Sequence, residues 1–511
     1  MDNYKNLSKE ELIRLLLEKD NELDKQKIEI RDLKEKLDKL ILKYENQQQK
    51  VLKDTYNKFV KTSEHLTDED QCINEAELKA DVAKGRKLGS KNFITDLTAT
   101  RTIVKELPLE ERTCSSCGEV MIEIGEDVTK KIIKYPATYE VVEIITKKYA
   151  CKNKECDSTV KQVLNDDVFS HSPITSSVAA DVINMKYNLA VPLDRYSKYL
   201  ISQGINISTQ CLSNYVMKSA DILQPIYDKI KHKLIHNESK VIHADETTLN
   251  VLDVNDRQNC YMFVYTTSFF DEQVYLYEFS ETRKTDKTEV LLKDYDGYLV
   301  CDKYSGYDKF KESLRGIQRC MTHARRYFFD VLKGLKASEQ KNSKAKIVVE
   351  KFDQIFKVEK TYKDKKYTVS RIEKCRNSIE YQALIDDLYN TIKSITPQPG
   401  SLLEKAVNYT LNSWDELFTY RKYGYLEISN NLAERAVKPF VIARKNFLFS
   451  KTTNGAQASG LLFSIIQTAK ANGLCVDRYL EYVFDNINKK NIDEFLPWSK
   501  ALPQSVKINL K

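Results

Sequence analysis

Three carboxylates, from the middle of the chain onward, stand where metal-assisted phosphoryl chemistry would need them. Asp245 closes the short apolar run of SKVIHADETTLNVL, and Asp302 closes Tyr298 to Cys301 in GYLVCDKYSGY. Side chains placed just past neighbouring buried strands converge, and two converging carboxylates repel unless a cation holds them. Mg2+, a hard oxygen-seeking ion, suits that role, and two such ions about 3.5–4 Å apart clamp the attacking and leaving oxygens of an in-line displacement. A third acid completes the shell. Glu434 lies in SNNLAERAVKPFVIARKNFLFS, behind the helix-start residues Ser429, Asn430 and Asn431 and flanked by Arg435, Lys438, Arg444 and Lys445. A carboxylate among cations suits a metal ligand beside a phosphate backbone. Spacing alone leaves the alternative open: aspartates also end strands and cap helices without any ion, and Glu434 pairs equally well with Arg435 or Lys438 on a solvated face.

Four cysteines carry a second chemistry. Cys114-Ser-Ser-Cys117-Gly118 and Cys151-Lys-Asn-Lys-Glu-Cys156 are two separated pairs able to close a tetrahedral S4 site. Gly118 suits the tight turn, and ATYEVVEIITKKYAC between the pairs reads as extended ribbon, with Val141, Ile144 and Tyr149 among its β-formers. This is the layout of a zinc ribbon holding structural Zn2+; a knuckle that folds without metal is the alternative. Four thiolates leave no open position, which argues against catalytic zinc. Cys211, Cys260, Cys301, Cys320, Cys375 and Cys475 are isolated and are expected to serve as small buried hydrophobes.

Other residues suit nucleic acid. His323 lies in CMTHARRYFFD with Arg325 and Arg326; the arginines suit backbone phosphate contacts, and the histidine suits either a scissile phosphate or a structural role. His243 shares a strand face with Asp245, which favours a supporting role over ligation of Mg2+. PLDRYSKYLISQGINISTQCLSNYVMKSADIL reads as helix, Gly204 turn and a second helix capped by Ser208. That is helix-turn-helix spacing, with Gln210 and Asn214 able to read base edges. Two packed helices explain the pattern equally well.

The elements that must position these residues follow from periodicity. Residues 8–56 contain neither Gly nor Pro, and Leu16, Leu23, Ile30, Leu37, Tyr44 and Val51 recur every seven residues, with Leu33 and Leu40 on the second seam. A strict heptad favours a left-handed coiled coil and hence a homo-oligomer; polar Lys19, Gln26 and Gln47 on the second seam leave a single exposed helix as the alternative. A linker, 57–105, holds basic Lys84-Gly85-Arg86-Lys87; the zinc-ribbon-like stretch spans 106–168 and the helical region 169–238. Three hairpin-spaced strands and a crossover to a fourth then open a ribonuclease-H-like α/β core at 239–330. A Lys-rich helical insertion follows over 331–422, containing KTYKDKKYTVSRIEKCR. The core returns at 423–472 with the third acid, and a C-terminal element occupies 473–511. The fold class is therefore multidomain α/β.

Composition bounds the remaining choices. The 511 residues hold 14 Gly and 10 Pro, which excludes collagenous and linker-like chains, while 30 Tyr and 19 Phe exclude disorder. The 81 Lys and Arg against 74 Asp and Glu leave a net charge of +7, compatible with nucleic acid without requiring it. No stretch reaches 18 apolar residues, and MDNYKNLSKEE offers no secretion signal.

HADET, GYLVCDKYSGY, RCMTHARRYFFD and SNNLAERAVKPFVIARKNFLF together resemble the motifs of the IS66 family of bacterial insertion-sequence transposases. The cysteine pairs are similar to that family's zinc-binding domain, and the leading helix to its zipper-like N-terminus. KFVKTSEHL departs from the family's basic FGRKSE-like segment, having no Gly or Arg, and the four-residue gap between Cys151 and Cys156 is a second departure. The resemblance implies a DDE transposase with Asp245, Asp302 and Glu434 as first, second and third catalytic acids and as ligands of two Mg2+, with Mn2+ an alternative occupant. It implies cleavage at the ends of an insertion sequence and strand transfer into target DNA. Expected partners are double-stranded DNA with terminal inverted repeats, target DNA and element-encoded accessory proteins, with the bacterial cytoplasm and nucleoid as location and no membrane. Two other classes compete: a catalytically inactive DNA-binding or scaffold protein, and a structure-specific nuclease of the same fold that never joins strands.

Overall fold

The computed structural model describes residues 8–59, 102, 138–149, 161–162, 167–169, 172–254, 259–335, 340 and 343–508. The chain divides into two compact units, Met1–Lys61 with Asn165–Lys507, and Thr62–Leu164 with Ile508–Lys511.

In the larger unit, α1 (Lys9–Phe59) is a continuous 51-residue helix, as a segment without Gly or Pro and rich in Leu, Lys and Glu should be. Its heptad residues Leu23, Ile30, Leu33, Leu37 and Leu40 are all exposed. In the smaller unit, β1 (Lys148–Tyr149) pairs antiparallel with β2 (Lys161–Gln162). The expected ribbon is thus reduced, among the described residues, to a two-residue pairing, with Val141, Ile144 and Tyr149 exposed. Cys114, Cys117, Cys151 and Cys156 and the basic Lys84–Lys87 segment lie outside the described residues.

The helical region before the core contains α2 (Ser176–Ile183), α3 (Leu193–Ser202) and α4 (Thr209–Ile235). Gly204, at φ +87°, makes the turn, and Ser208 Oγ caps α4 by accepting from Cys211 N at 3.2 Å. The expected reading helix of Thr209 to Ser219 is only the first part of α4, which runs on through Pro225 and buries Leu212, Val216, Leu223, Ile226, Ile230 and Leu234. Its length and apolar stripe make it a packing helix of the core.

Five strands form the central sheet: β3 (Val241–Leu249), β4 (Cys260–Thr267), β5 (Tyr275–Ser280), β6 (Tyr298–Cys301) and β7 (Gly316–Arg319), in the order β5-β4-β3-β6-β7. The first three are antiparallel, whereas β3–β6 and β6–β7 are parallel, with α5 (Asp286–Leu292) in the crossover. The fifth strand was not expected, because GIQR has no strand-like composition.

Helix α6 (Met321–Lys333) follows β7 directly. The segment beyond it forms α7 (Lys344–Asp364), α8 (Val369–Arg376), α9 (Ile379–Lys393), α10 (Leu402–Leu411) and α11 (Trp414–Leu417). These helices and α6 share one apolar core that reaches Val241 and Val300 in the sheet. The basic run KTYKDKKYTVSRIEKCR also contributes to that interior: Arg376 is buried, its fork gripping Glu359 at 2.7 and 3.0 Å while Nη1 donates to Tyr420 O. Then α12 (Asn431–Phe447) packs on β3 and β4, and α13 (Thr453–Ala471) packs on β5. A Cβ at Gly460 would lie 2.8 Å from Tyr277 O, so this glycine lets α13 approach the strand. There Ser464 and Thr468 accept the outward amides of Tyr277 and Tyr275, which closes the edge of the sheet. α14 (Val476–Asn486) ends the helical part.

Candidate active site

Register brings Asp245 and Asp302 to one end of the β3–β6 pair. Pairing stops at His243 opposite Val300, so two residues further along each strand stand Asp245 and Asp302. Asp245 does not lie past the end of its strand as its sequence suggested. β3 continues to Leu249 because its other edge stays paired with β4, with Asp245 opposite Val264. Asp302 does follow the last residue of β6, and its Oδ1 accepts from Tyr304 N at 2.9 Å, which folds the chain away from the sheet.

Alternation along β3 divides the acids of HADET. Glu246 points to the face of Tyr307 and Arg283, accepting from the Tyr307 hydroxyl at 2.8 Å and from Arg283 at 2.7 and 3.0 Å. Asp245 instead has one backbone donor, Glu246 N at 2.9 Å, and no cation pairs with it among the described residues. Burial pushes its carboxyl well above the usual range, and the charges of Glu246, Asp302 and Glu434 push it further. The three expected acids therefore feel one another electrostatically at Asp245.

Glu434 is in the first turn of α12 and about a quarter exposed, 3.8 Å from Arg326 Nη2 and 3.7 Å from His323 Nδ1. Cys320, expected as a small hydrophobe, is buried but places its Sγ 3.6 Å from Glu434 Oε1. Among the described residues one group of three potential ligands lies within 4.8 Å, and it is Cys320, His323 and Glu434; Asp245 and Asp302 are outside it. Cys211, also expected to be buried, is exposed.

Asn430, His243 and Arg319 hold this end of the sheet together. Asn430 precedes α12, yet its side chain makes no cap; it donates to Ala244 O at 2.8 Å and lies 3.2 Å from His243 Nδ1. It thus ties the backbone beside Asp245 to the helix carrying Glu434. Fully buried His243 stands 2.8 Å from Glu427 Oε2 and takes the supporting position that alternation suggested. Burial alone would raise Glu427, but His243 and Lys363 outweigh it and bring that carboxyl down to about 2. Arg319, fully buried at the end of β7, donates to Asp302 O at 2.5 Å and pairs with Asp308 and Glu416 at 2.6 and 2.7 Å. The signal for Asn430 was weak, an asparagine in a cap position that has a second use, and Arg319 had none, since β7 does not show in the sequence.

The expected DNA contacts differ in exposure and in how firmly they anchor other elements. Arg325 is held by Asp353 at 2.6 and 3.2 Å, and Arg444 is bonded to Thr248, so both anchor elements. Gln210 and Asn214 are exposed and bonded to each other at 3.0 Å. Arg435 and Lys445 are exposed on α12, while Lys438 is partly buried.

Comparison with known proteins matches three segments of the chain. Residues 171–458 match the model of the IS66 transposase family, 464–498 that of the IS66 C-terminal element, and 111–156 that of the zinc-finger binding domain of transposase IS66. Two Sinorhizobium fredii proteins are similar over most of their length. The uncharacterized protein y4jD is 26% identical over 76% of this chain and 78% of its own. The uncharacterized protein y4hP is 23% identical over 84% of this chain and 81% of its own.

Proposed function

Since this chain belongs to the IS66 transposase family, we propose that it is a DDE transposase that cleaves the ends of its insertion sequence and joins them to target DNA, with Asp245, Asp302 and Glu434 as the catalytic acids. The observation that carries the assignment is the state of Asp245: a half-buried carboxylate with one amide donor, no cation paired with it among the described residues, and three acids acting on it. A divalent ion relieves that repulsion, so the donor set fits Mg2+, with Mn2+ an alternative. When bound, two such ions would supply Lewis-acid activation of water or of a 3′-hydroxyl and neutralise charge on the scissile phosphate.

The chain's own residues do the positioning. Asp245 is fixed by the β3–β4 ladder, Asp302 by Arg319 and Glu434 by Asn430. In the first step water breaks a phosphodiester bond and leaves a 3′-hydroxyl; in the second that hydroxyl attacks a target phosphodiester in line and expels the target's own 3′-oxygen. The sheet order β5-β4-β3-β6-β7, antiparallel then parallel, supports a ribonuclease-H-like core for this chemistry. Arg435 and Lys445 on α12, with Arg326 beside Glu434, suit backbone phosphates, and exposed Gln210 and Asn214 suit base edges. The exposed heptad residues of α1 support homo-oligomerisation through that helix. Cys114, Cys117, Cys151 and Cys156 are the ligands that the matched zinc-finger segment would use for structural Zn2+. Among the described residues no helix is long and apolar enough to cross a membrane.

The test is incubation of the full chain with Mg2+, a duplex carrying its element's end and a supercoiled target. Joined products are expected. Cleavage without joining contradicts the transposase reading and leaves a nuclease.

A further inference from the structure

The ligand group that closes most tightly is not the set of three acids. It is Cys320, His323 and Glu434, and its chemistry differs from that of an oxygen-only Mg2+ site. Cys320 is the N-cap of α6 and His323 lies in its first turn, three residues on, so the thiol and the imidazole share one side of the helix start. Glu434 holds the corresponding first-turn position of α12. Two helix N-termini thus meet here, and both favour the anionic thiolate and carboxylate that a metal would take.

His323 Nδ1 is buried without a hydrogen-bond partner, 3.7 Å from Glu434 Oε1, while Cys320 Sγ lies 3.6 Å from the same oxygen. A buried ring nitrogen left unbonded is costly unless something else fills its place. We infer that Cys320, His323 and Glu434 form a Zn2+ site, and, on the reading of Glu434 as a catalytic acid, that zinc bound there withholds this carboxylate from the Mg2+-dependent reaction. Sulfur, imidazole and carboxylate together select zinc over Mg2+, which seeks an octahedron of oxygens. Three protein ligands leave a fourth position for water. His323 and Glu434, each about a quarter exposed, provide the opening to solvent.

Binding forms the sulfur–zinc bond and breaks the thiol S–H bond, with the proton released to solvent. Arg326 contacts the other oxygen, Oε2, at 3.8 Å, and Oε1 faces Cys320 and His323.

The experiment compares full-length wild type with Cys320→Ser, which keeps a small group able to accept the Asn430 amide. After equilibration with Zn2+ and desalting, wild type should retain one more ion per chain than the variant, whatever the zinc finger holds. Co2+ added to wild type whose zinc finger is already filled with zinc should give a sulfur-to-cobalt absorption band that Cys320→Ser lacks. In Mg2+, zinc at ten times its Kd should leave wild-type end cleavage at about one tenth, with the variant little affected. Equal zinc content and no cobalt band overturn the site. An extra ion with equal inhibition of both proteins overturns the withholding. An extra ion in a protein that cleaves nothing in Mg2+ supports the site and overturns the proposed reaction instead.

Discussion

Asp245 and three other buried or half-buried acids, Glu246, Glu359 and Glu427, have opposite surroundings. Glu246, Glu359 and Glu427 are each met by cations and donors: Arg283 with Tyr307, Arg376 with Tyr381, and His243 with Lys363. Asp245 is met by other acids. A carboxylate that serves the fold brings its compensation with it. One that lacks compensation costs stability and persists where something outside the chain supplies the missing charge. The contrast points to function at Asp245 more directly than any motif.

The largest effect that sharpens this contrast is on the reaction. Asp302→Asn and Glu434→Gln should each lower end cleavage by about 10³-fold or more while leaving duplex-end binding nearly intact, as gel shift and product analysis would show. On the compensated side, Arg376→Ala should cost about 3–5 kcal/mol in a denaturant titration, because Glu359 would remain buried without its fork. A stability loss below about 1 kcal/mol would remove the distinction between the two groups.

Glu427 gives a pH signature. Its folded-state pKa of about 2 lies below the unfolded value, so the stability it contributes is present above roughly pH 4.3 and lost as pH falls toward 2. Glu427→Gln should therefore be less stable than wild type by about 2–3 kcal/mol at pH 7, with the gap closing by pH 2–3. Asn430→Ala removes the tie between Ala244 O and α12 and should cost about 1–3 kcal/mol, with end cleavage falling about 10–100-fold. The smallest effect is a control: Lys198→Ala breaks an exposed pair with Asp194 and should change stability by less than about 0.5 kcal/mol.

Much of this was legible in the sequence, and the reasons for the rest are physical. β3, β4 and β5 show as runs of aromatic and β-branched residues, and α1 shows as an uninterrupted heptad. β7 does not show, because Gln318 and Arg319 are polar; both are buried, satisfied by Leu417 O, Tyr420 N, Asp308 and Glu416, partners distant in sequence. The position of Asp245 was misjudged by the same limitation, since a strand's end depends on which neighbour keeps pairing with it. Cys320 shows the reverse case. Its burial was expected correctly, but nothing local indicates that its sulfur faces Glu434, which lies on another helix. The basic run ending at Arg376 reads as surface until Glu359 is placed opposite it. Residues whose role depends on one distant partner are the ones that periodicity cannot find.

Asp245→Asn tests the central claim most directly when cleavage and stability are measured on the same preparation. The account predicts no metal-dependent cleavage of the element's ends, together with a melting temperature equal to or above that of wild type, because a half-buried, repelled charge has been removed. An Asp245→Asn protein that cleaves its ends at the wild-type rate would contradict it.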